Sequence, residues 1–296
     1  MTDIKITDVR ALPGDSAFLL DDGKTSILYD TGFGFTGFQV AENIRKVLGS
    51  RPLDYIFLTH SHYDHALGSA YIAKCYPHAQ VVAGEYAGKI FSKPSARERM
   101  RELDREWARA NGVEAYADLA DDLRVDIPVN DGDWLDCGDL RFLVVALPGH
   151  TKCSIGFYLA EKKLLLGSET LGVYFGQGTY LPSCLVGYQM TLESFQRARK
   201  LEIAGILLPH YGPVYGELAK AYLENSQRVT VETAQTILAM LGAGSSKEEI
   251  LEHFTETVYS DNVKPVYPVD AFRLNTGIMI DLIAKELGGA GWESCC

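Results

Sequence analysis

Apolar and polar positions alternate near the start of the chain, whereas toward its end they recur every three to four residues, and the organisation follows from that contrast. Alternation over Ile4 to Val9, then Ala17 to Leu20 and Thr25 to Tyr29 around Asp22-Gly23, predicts a β-meander with a tight turn. A helix fits from about Gly37 to Leu48. The unbroken apolar run Tyr55-Ile56-Phe57-Leu58 predicts a short, fully buried strand, followed by a helical stretch to Cys75 and a strand over Ala79 to Ala83. Pro94 to Asn111 is a dense mixed-charge helix, read as a solvated face laced with i,i+4 pairs, with a lid over a site as the other reading. Strands are expected over Arg141 to Leu147, Ser154 to Leu159, Lys163 to Ser168 and Ile206 to Leu208, with a helix near Leu192 to Lys200. Beyond Gly216 the pattern is helical, and Ser246-Lys247-Glu248-Glu249 is a capping box. The expected division is an α/β core over residues 1–214 and a helical C-terminal region over 215–296.

Composition narrows the class. The 296 residues hold 47% hydrophobic and 23% charged positions, which is ordinary globular usage. Asp and Glu outnumber Lys and Arg 39 to 28, so neither a non-specific grip on nucleic acid nor one on an anionic membrane is expected. No apolar run approaches the ~20 residues of a membrane helix. Met1-Thr2-Asp3-Ile4-Lys5 lacks the basic start and apolar stretch of a secretory signal, and the expectation is a cytoplasmic protein acting on a small molecule. Cys75, Cys137, Cys153 and Cys184 are scattered and read as reduced thiols, and Cys295-Cys296 as a frayed tail.

Two motifs compete for attention. Gly32-Phe33-Gly34-Phe35-Thr36-Gly37 spells the dinucleotide fingerprint G-x-G-x-x-G. Asp30 before it puts a carboxylate where a pyrophosphate needs N–H groups, and Asp54 opens the next strand when a ribose ligand belongs at its far end. That reading is set aside. At the end of the buried strand stands Thr59-His60-Ser61-His62-Tyr63-Asp64-His65. Residues i and i+2 of an extended segment point the same way, so His60 and His62 can grip one cation, while Asp64 and His65 start the next turn and can face a second. Imidazole and carboxylate are the ligands that Zn²⁺, Fe²⁺ and Mn²⁺ accept.

With H-x-H-x-D-H at a strand end, the chain resembles the metallo-β-lactamase superfamily. The resemblance runs over about residues 4–214 and implies an α/β fold, an αββα sandwich. It is carried further by Pro148-Gly149-His150-Thr151, by Leu208-Pro209-His210-Tyr211-Gly212 and by the Asp30-Thr31-Gly32 turn. It implies that His150 joins His60 and His62 at a first metal, that His210 joins Asp64 and His65 at a second, and that Asp30 supports the site from behind. His78 and His253 are left as ordinary histidines. The departure is Ser168-Glu169-Thr170-Leu171, where the family has Gly-Asp-Thr-Leu with a bridging Asp. Glu169 aligns with that Asp but is one methylene longer; it bridges, binds one metal or reaches elsewhere. Cys153 stands where the family has a small residue and is read as packed.

The resemblance implies two divalent metal ions, Zn²⁺ by default with Fe or Mn as alternatives, and hydrolysis by a metal-held hydroxide in which Asp64 takes part. A small ester, thioester or lactone is the expected substrate, as in thioesterase-, glyoxalase II- and lactonase-like relatives. A phosphodiesterase, an iron-dependent oxidoreductase and a metal-retaining sensor are the alternatives. Tyr174, Tyr180 and Tyr188, in the aromatic stretch after Glu169, are the candidate substrate-binding residues. The C-terminal helices are expected to cover the cleft or to form a homodimer interface.

Overall fold

The computed structural model describes residues 4–288. In chain order the first half gives β1 (Lys5–Asp8), β2 (Phe18–Asp21), β3 (Ser26–Tyr29), α1 (Gly37–Leu48), β4 (Tyr55–Leu58), α2 (Tyr63–Ala66), α3 (Gly68–Cys75), β5 (Gln80–Gly84), α4 (Glu85–Phe91), α5 (Pro94–Ala110) and β6 (Ile127–Val129). The second half gives β7 (Trp134–Cys137), β8 (Leu140–Ala146), β9 (Ile155–Leu159), β10 (Leu164–Leu166), β11 (Val173–Tyr174), β12 (Tyr180–Leu181), α6 (Tyr188–Ala198), β13 (Gly205–Leu208) and β14 (Gly212–Tyr215). Three helices follow: α7 (Gly216–Gly242), α8 (Lys247–Thr257) and α9 (Val269–Leu287).

Two six-stranded sheets result, ordered β1-β2-β3-β4-β5-β6 and β14-β13-β10-β9-β8-β7. The first is antiparallel from β1 to β3 and parallel from β3 to β6. The second is antiparallel except where β10 runs parallel to β13. The two-residue period of a strand sorts side chains between layers. Ile56 and Leu58 of β4 face α1 and α3, whereas Phe57 points between the sheets. There Phe57 stacks on Phe157 at 4.3 Å between ring centres and meets Phe142 edge-on at 5.2 Å. Leu165 and Ile206 on the far face of the second sheet pack with Phe195 of α6 and Tyr222 of α7. The order helix, sheet, sheet, helix is the expected αββα sandwich.

The long elements lie where the hydrophobic pattern puts them, and the Ser246–Glu249 capping box is formed in both directions. The pattern misses α4, β6, β7, β14 and the β11–β12 pair, and it starts α6 four residues late, at Leu192 instead of Tyr188. Those strands have two to four residues each, too few for a period to register. Pro128 and Pro213 further mask β6 and β14, which tolerate proline because both are edge strands. The terminal Cys295-Cys296 pair lies outside the described residues. Among the described residues no helix is long and apolar enough to cross a membrane.

Candidate metal centre

Five loops leave the sheets at one end of the sandwich, and each delivers a polar side chain. Asp30 follows β3, His60 to His65 follow β4, His150 follows β8, Glu169 follows β10 and His210 follows β13. His62 is extended, with φ −73° and ψ 151°, so it keeps the strand direction of His60; Asp64 and His65 then lie in the single turn of α2. Three positions show what these loops demand. Gly149 has φ 142°, and a Cβ there would lie 2.2 Å from Thr191 Oγ1. Asp30 and His210 adopt φ 51° and 61°, a left-handed backbone that non-glycine residues take rarely and mostly where function holds them.

One donor atom from each of His60, His62, His150 and Glu169 falls within a 4.8 Å spread, and the same holds for Asp64, His65 and His210. Glu169 connects the two groups. Its Oε2 is 2.7 Å from His150 Nε2 and 3.8 Å from both His60 Nε2 and His65 Nε2, and its Oε1 is 3.1 Å from His210 Nε2. The longer side chain therefore turns one oxygen toward each group. Asp64 Oδ2 lies 3.6 Å from His65 Nε2 and 3.8 Å from His210 Nε2.

The outer hydrogen bonds decide which ring nitrogens carry protons. His210 Nδ1 donates to the Gly14 carbonyl at 2.9 Å, and His65 Nδ1 to Asp30 at 2.8 Å. His150 Nδ1 lies 3.0 Å from the Ser183 carbonyl, which only accepts, so that nitrogen is protonated too. The Thr59 hydroxyl gives its proton to Asp30 and so accepts from His60 Nδ1. Each of these four histidines in its neutral form thus presents a bare Nε2 to the centre. His210 Nε2 faces His65 Nε2 at 3.1 Å, and His150 Nε2 faces His62 Nδ1 at 2.8 Å. His60 Nε2 is buried without a hydrogen-bond partner. An orphaned, buried Nε2 on His60 among converging imidazole nitrogens and carboxylate oxygens is a donor set that suits divalent cations, so the residues present fit metal ions.

Electrostatics agree. Burial and the neighbouring rings hold His60 well below the usual imidazole range, and burial with the charge of His150 brings His62 down to about 3, so both are neutral at neutral pH. Burial also opposes charge on His65, but Asp64, Asp30 and Glu169 outweigh it and raise its pKa to about 9. Burial would raise Glu169, yet the histidines around it, His150 first, hold its carboxyl well below the usual range. The second group thus favours a positive charge where the first does not.

Asp30 does more than support His65. It accepts Thr59 N–H at 2.9 Å and the Thr59 and Ser16 hydroxyls at 3.1 Å, which fixes the loop that begins the ligand run. The set-aside glycine motif is also accounted for. Phe33 N–H donates to Asp15, and Gly34 and Phe35 N–H donate to the buried Asp104 of α5, so the amides that would cradle a pyrophosphate are taken. Asp54 caps Ser26 N–H instead of a ribose. His78 is exposed and His253 lies on α8, both away from the ligand groups. Cys153 is buried, its thiol beside Ser61 and Thr151.

A cavity of about 600 Å³ opens from the ligands and is walled by α5, the loop before α6, and α7 to α9. Of the three candidate tyrosines only Tyr180 lines it. Tyr174 packs among Tyr180, Tyr211 and Tyr222, and Tyr188 packs with the C-terminal helices, because the loop after Glu169 folds down onto α7. Ser226 Oγ and Tyr222 Oη pin that loop through the Leu171 and Gly172 carbonyls. The sequence reading missed Tyr267, which lines the cavity and whose hydroxyl accepts from Asn275 Nδ2. It also missed Ser183, Gly14 and Arg10, which orders His210 through its carbonyl. A lone Tyr, Ser or Gly between helices has no spacing that would mark it.

Residues 13–210 match the family model of the metallo-beta-lactamase superfamily. The chain belongs to that superfamily. A hydroxyacylglutathione hydrolase of Ectopseudomonas mendocina is 28% identical over 123 residues, 42% of this chain and 35% of that protein. One from Brucella anthropi is 26% identical over 188 residues, 63% of this chain and 55% of that protein. This superfamily member thus spans less than two thirds of the length of both. The metallo-beta-lactamase fold-containing protein ST1585 of Sulfurisphaera tokodaii is 23% identical over 213 residues, 71% of this chain and 77% of that protein. The ST1585 crystal structure superposes with a TM-score of 0.59 at 19% identity, over 93% of this chain and 94% of that one, which shows a shared fold.

Proposed function

We propose that the protein is a dinuclear metallo-hydrolase that cleaves a small ester, thioester or lactone. The observation that supports it most is the pair of ligand groups joined by Glu169 at the closed end of an apolar cavity. His60, His62 and His150 would hold one ion, Asp64, His65 and His210 the other, and Glu169 both, with Zn²⁺ suited to such nitrogen–oxygen sets. A bound metal pair would supply Lewis acidity and a nucleophile drawn from water at neutral pH.

The chain's own residues do the rest. The loop after β4, anchored by Asp30, holds Asp64 beside the ligand histidines, where its free oxygen can accept a proton from the attacking water. Burial, then the charge of Glu169, keeps the Tyr267 phenol well above its ordinary range and therefore protonated. Because its oxygen already accepts from Asn275, its proton is left to donate to the substrate oxygen that gains charge. Tyr267 thus takes the role that the loop tyrosines were expected to fill. The α/β core over residues 1–214 carries the chemistry in this reading, and the helices beyond it enclose the substrate.

The test is elemental analysis of protein purified without chelator, paired with a panel of thioester, lactone and phosphodiester substrates. Close to two equivalents of metal and turnover of an ester or thioester are expected. A folded protein that neither holds nor takes up metal would overturn the reading, and turnover confined to phosphodiesters would redirect it.

A further inference from the structure

We infer that the substrate carries an apolar chain and no negative charge beyond the reacting bond, an inference that rests on the hydrolase reading and narrows it. The cavity wall is apolar, with Phe33, Trp107, Phe175, Leu274, Ile278 and Met279 among its residues. The side chains of Leu274 and Ile278 are exposed, 54% and 38%, although both are large and aliphatic, which is what an apolar ligand would cover. Among the described residues no Lys or Arg lines the cavity, and its four acidic residues are Asp64, Glu106, Glu169 and Asp270.

The position of those carboxylates matters. Asp64 and Glu169 are at the ligand end, where two dications would outweigh them. Glu106 on α5 and Asp270 in the first turn of α9 are exposed and have no cation to offset them at the cavity. A phosphate or carboxylate on the leaving group would have to pass these two against a net charge of −11 for the whole chain. Arg10 comes near from behind, but it is tied to Asp8 and to the carbonyls of Pro13 and His210, and it does not line the cavity. Glutathione and coenzyme A thioesters, whose leaving groups are anionic, therefore fit poorly. An uncharged thioester, ester or lactone of the same acyl chain fits well.

The experiment compares one decanoyl group on N-acetylcysteamine, on glutathione and on coenzyme A, with the metal-loaded full chain. The neutral thioester should be favoured in kcat/KM by at least about tenfold, the scale of one unfavourable charge contact. Glu106→Lys and Asp270→Lys should each narrow that ratio severalfold, and Glu106→Gln and Asp270→Asn should narrow it less. A second readout needs no turnover: quenching of Trp107 fluorescence by the non-hydrolysable thioethers S-decyl-N-acetylcysteamine and S-decylglutathione, with Trp107→Phe assigning the signal. Tighter binding of the uncharged thioether supports the inference even if no thioester, ester or lactone is hydrolysed, in which case the hydrolase reading fails alone. Equal or better use of the glutathione or coenzyme A thioester, or equal binding of the two thioethers, overturns the inference and leaves the hydrolase reading standing.

Discussion

The ligand end of the cavity and its apolar wall are built in different ways. The candidate ligands stand two to seven positions past strand ends, on loops that the two sheets hold in register, and they are braced by hydrogen bonds to Asp30, Gly14 and Ser183. The wall is drawn from α5 and from α7 to α9, which meet those loops through side-chain packing and a few hydrogen bonds, such as Ser226 to the Leu171 carbonyl and Asp104 to the Gly34 and Phe35 amides. A rigid sheet end fixes where chemistry happens. Helices laid over it decide what can reach it, and they can change without moving a ligand.

The comparison predicts losses of different kinds on the two sides. The largest belongs to Asp64→Ala, which should reduce kcat by more than roughly a thousandfold, beyond the loss of a single oxyanion donor, while circular dichroism stays native. A kcat comparable to wild type would remove Asp64 from the chemistry. Next is Glu169→Gln. If Glu169 joins the two groups as its oxygens suggest, the variant should keep one metal equivalent and lose most of the second at matched free metal, whereas Glu169→Asp should retain both with altered kcat. A Gln variant that holds two ions as tightly as wild type would show that the groups are independent.

Asp30→Asn reaches the same end from behind. It removes an acceptor that serves His65, Thr59 and Ser16 together, and should weaken metal affinity by about 10–100-fold, read by competition with a chelator. On the wall, Leu274→Ala and Ile278→Ala should each raise KM by roughly fivefold, about 1 kcal/mol of lost apolar contact, with kcat and melting temperature little changed. A fall in kcat without a change in KM would mean that the wall shares in the chemistry.

The smallest effect on activity is expected at Asp104, which joins the two regions by holding the Gly34 and Phe35 amides from α5. Burial outweighs the hydrogen bonds it accepts and raises its carboxyl to about 6. Between the unfolded value near 4 and about 6, the native state binds this proton more than the unfolded state does. Stability should therefore fall as pH rises through that window and level off above it. Asp104→Asn should flatten that slope in urea melts at pH 4 to 7; an unchanged slope would assign it to other groups.

Much of this architecture is legible in the sequence because it is local. Apolar runs and their periods give the long strands and helices, and H-x-H-x-D-H needs only an extended segment followed by one turn for its four side chains to share a site. The departure at Glu169 was visible in Ser168-Glu169-Thr170-Leu171, but its consequence was not. Only the folded chain shows one oxygen turned to His150 and the other to His210, residues 60 positions apart. Likewise Tyr174, Tyr180 and Tyr188 look alike in sequence, yet packing leaves just Tyr180 of the three at the cavity, where the distant Tyr267 also lies. The candidate metal-ligand set was legible from residue type and short spacing, which a linear chain records. The charge and shape of the cavity were set by helices distant in sequence, and that meeting is decided by burial of their apolar faces in three dimensions.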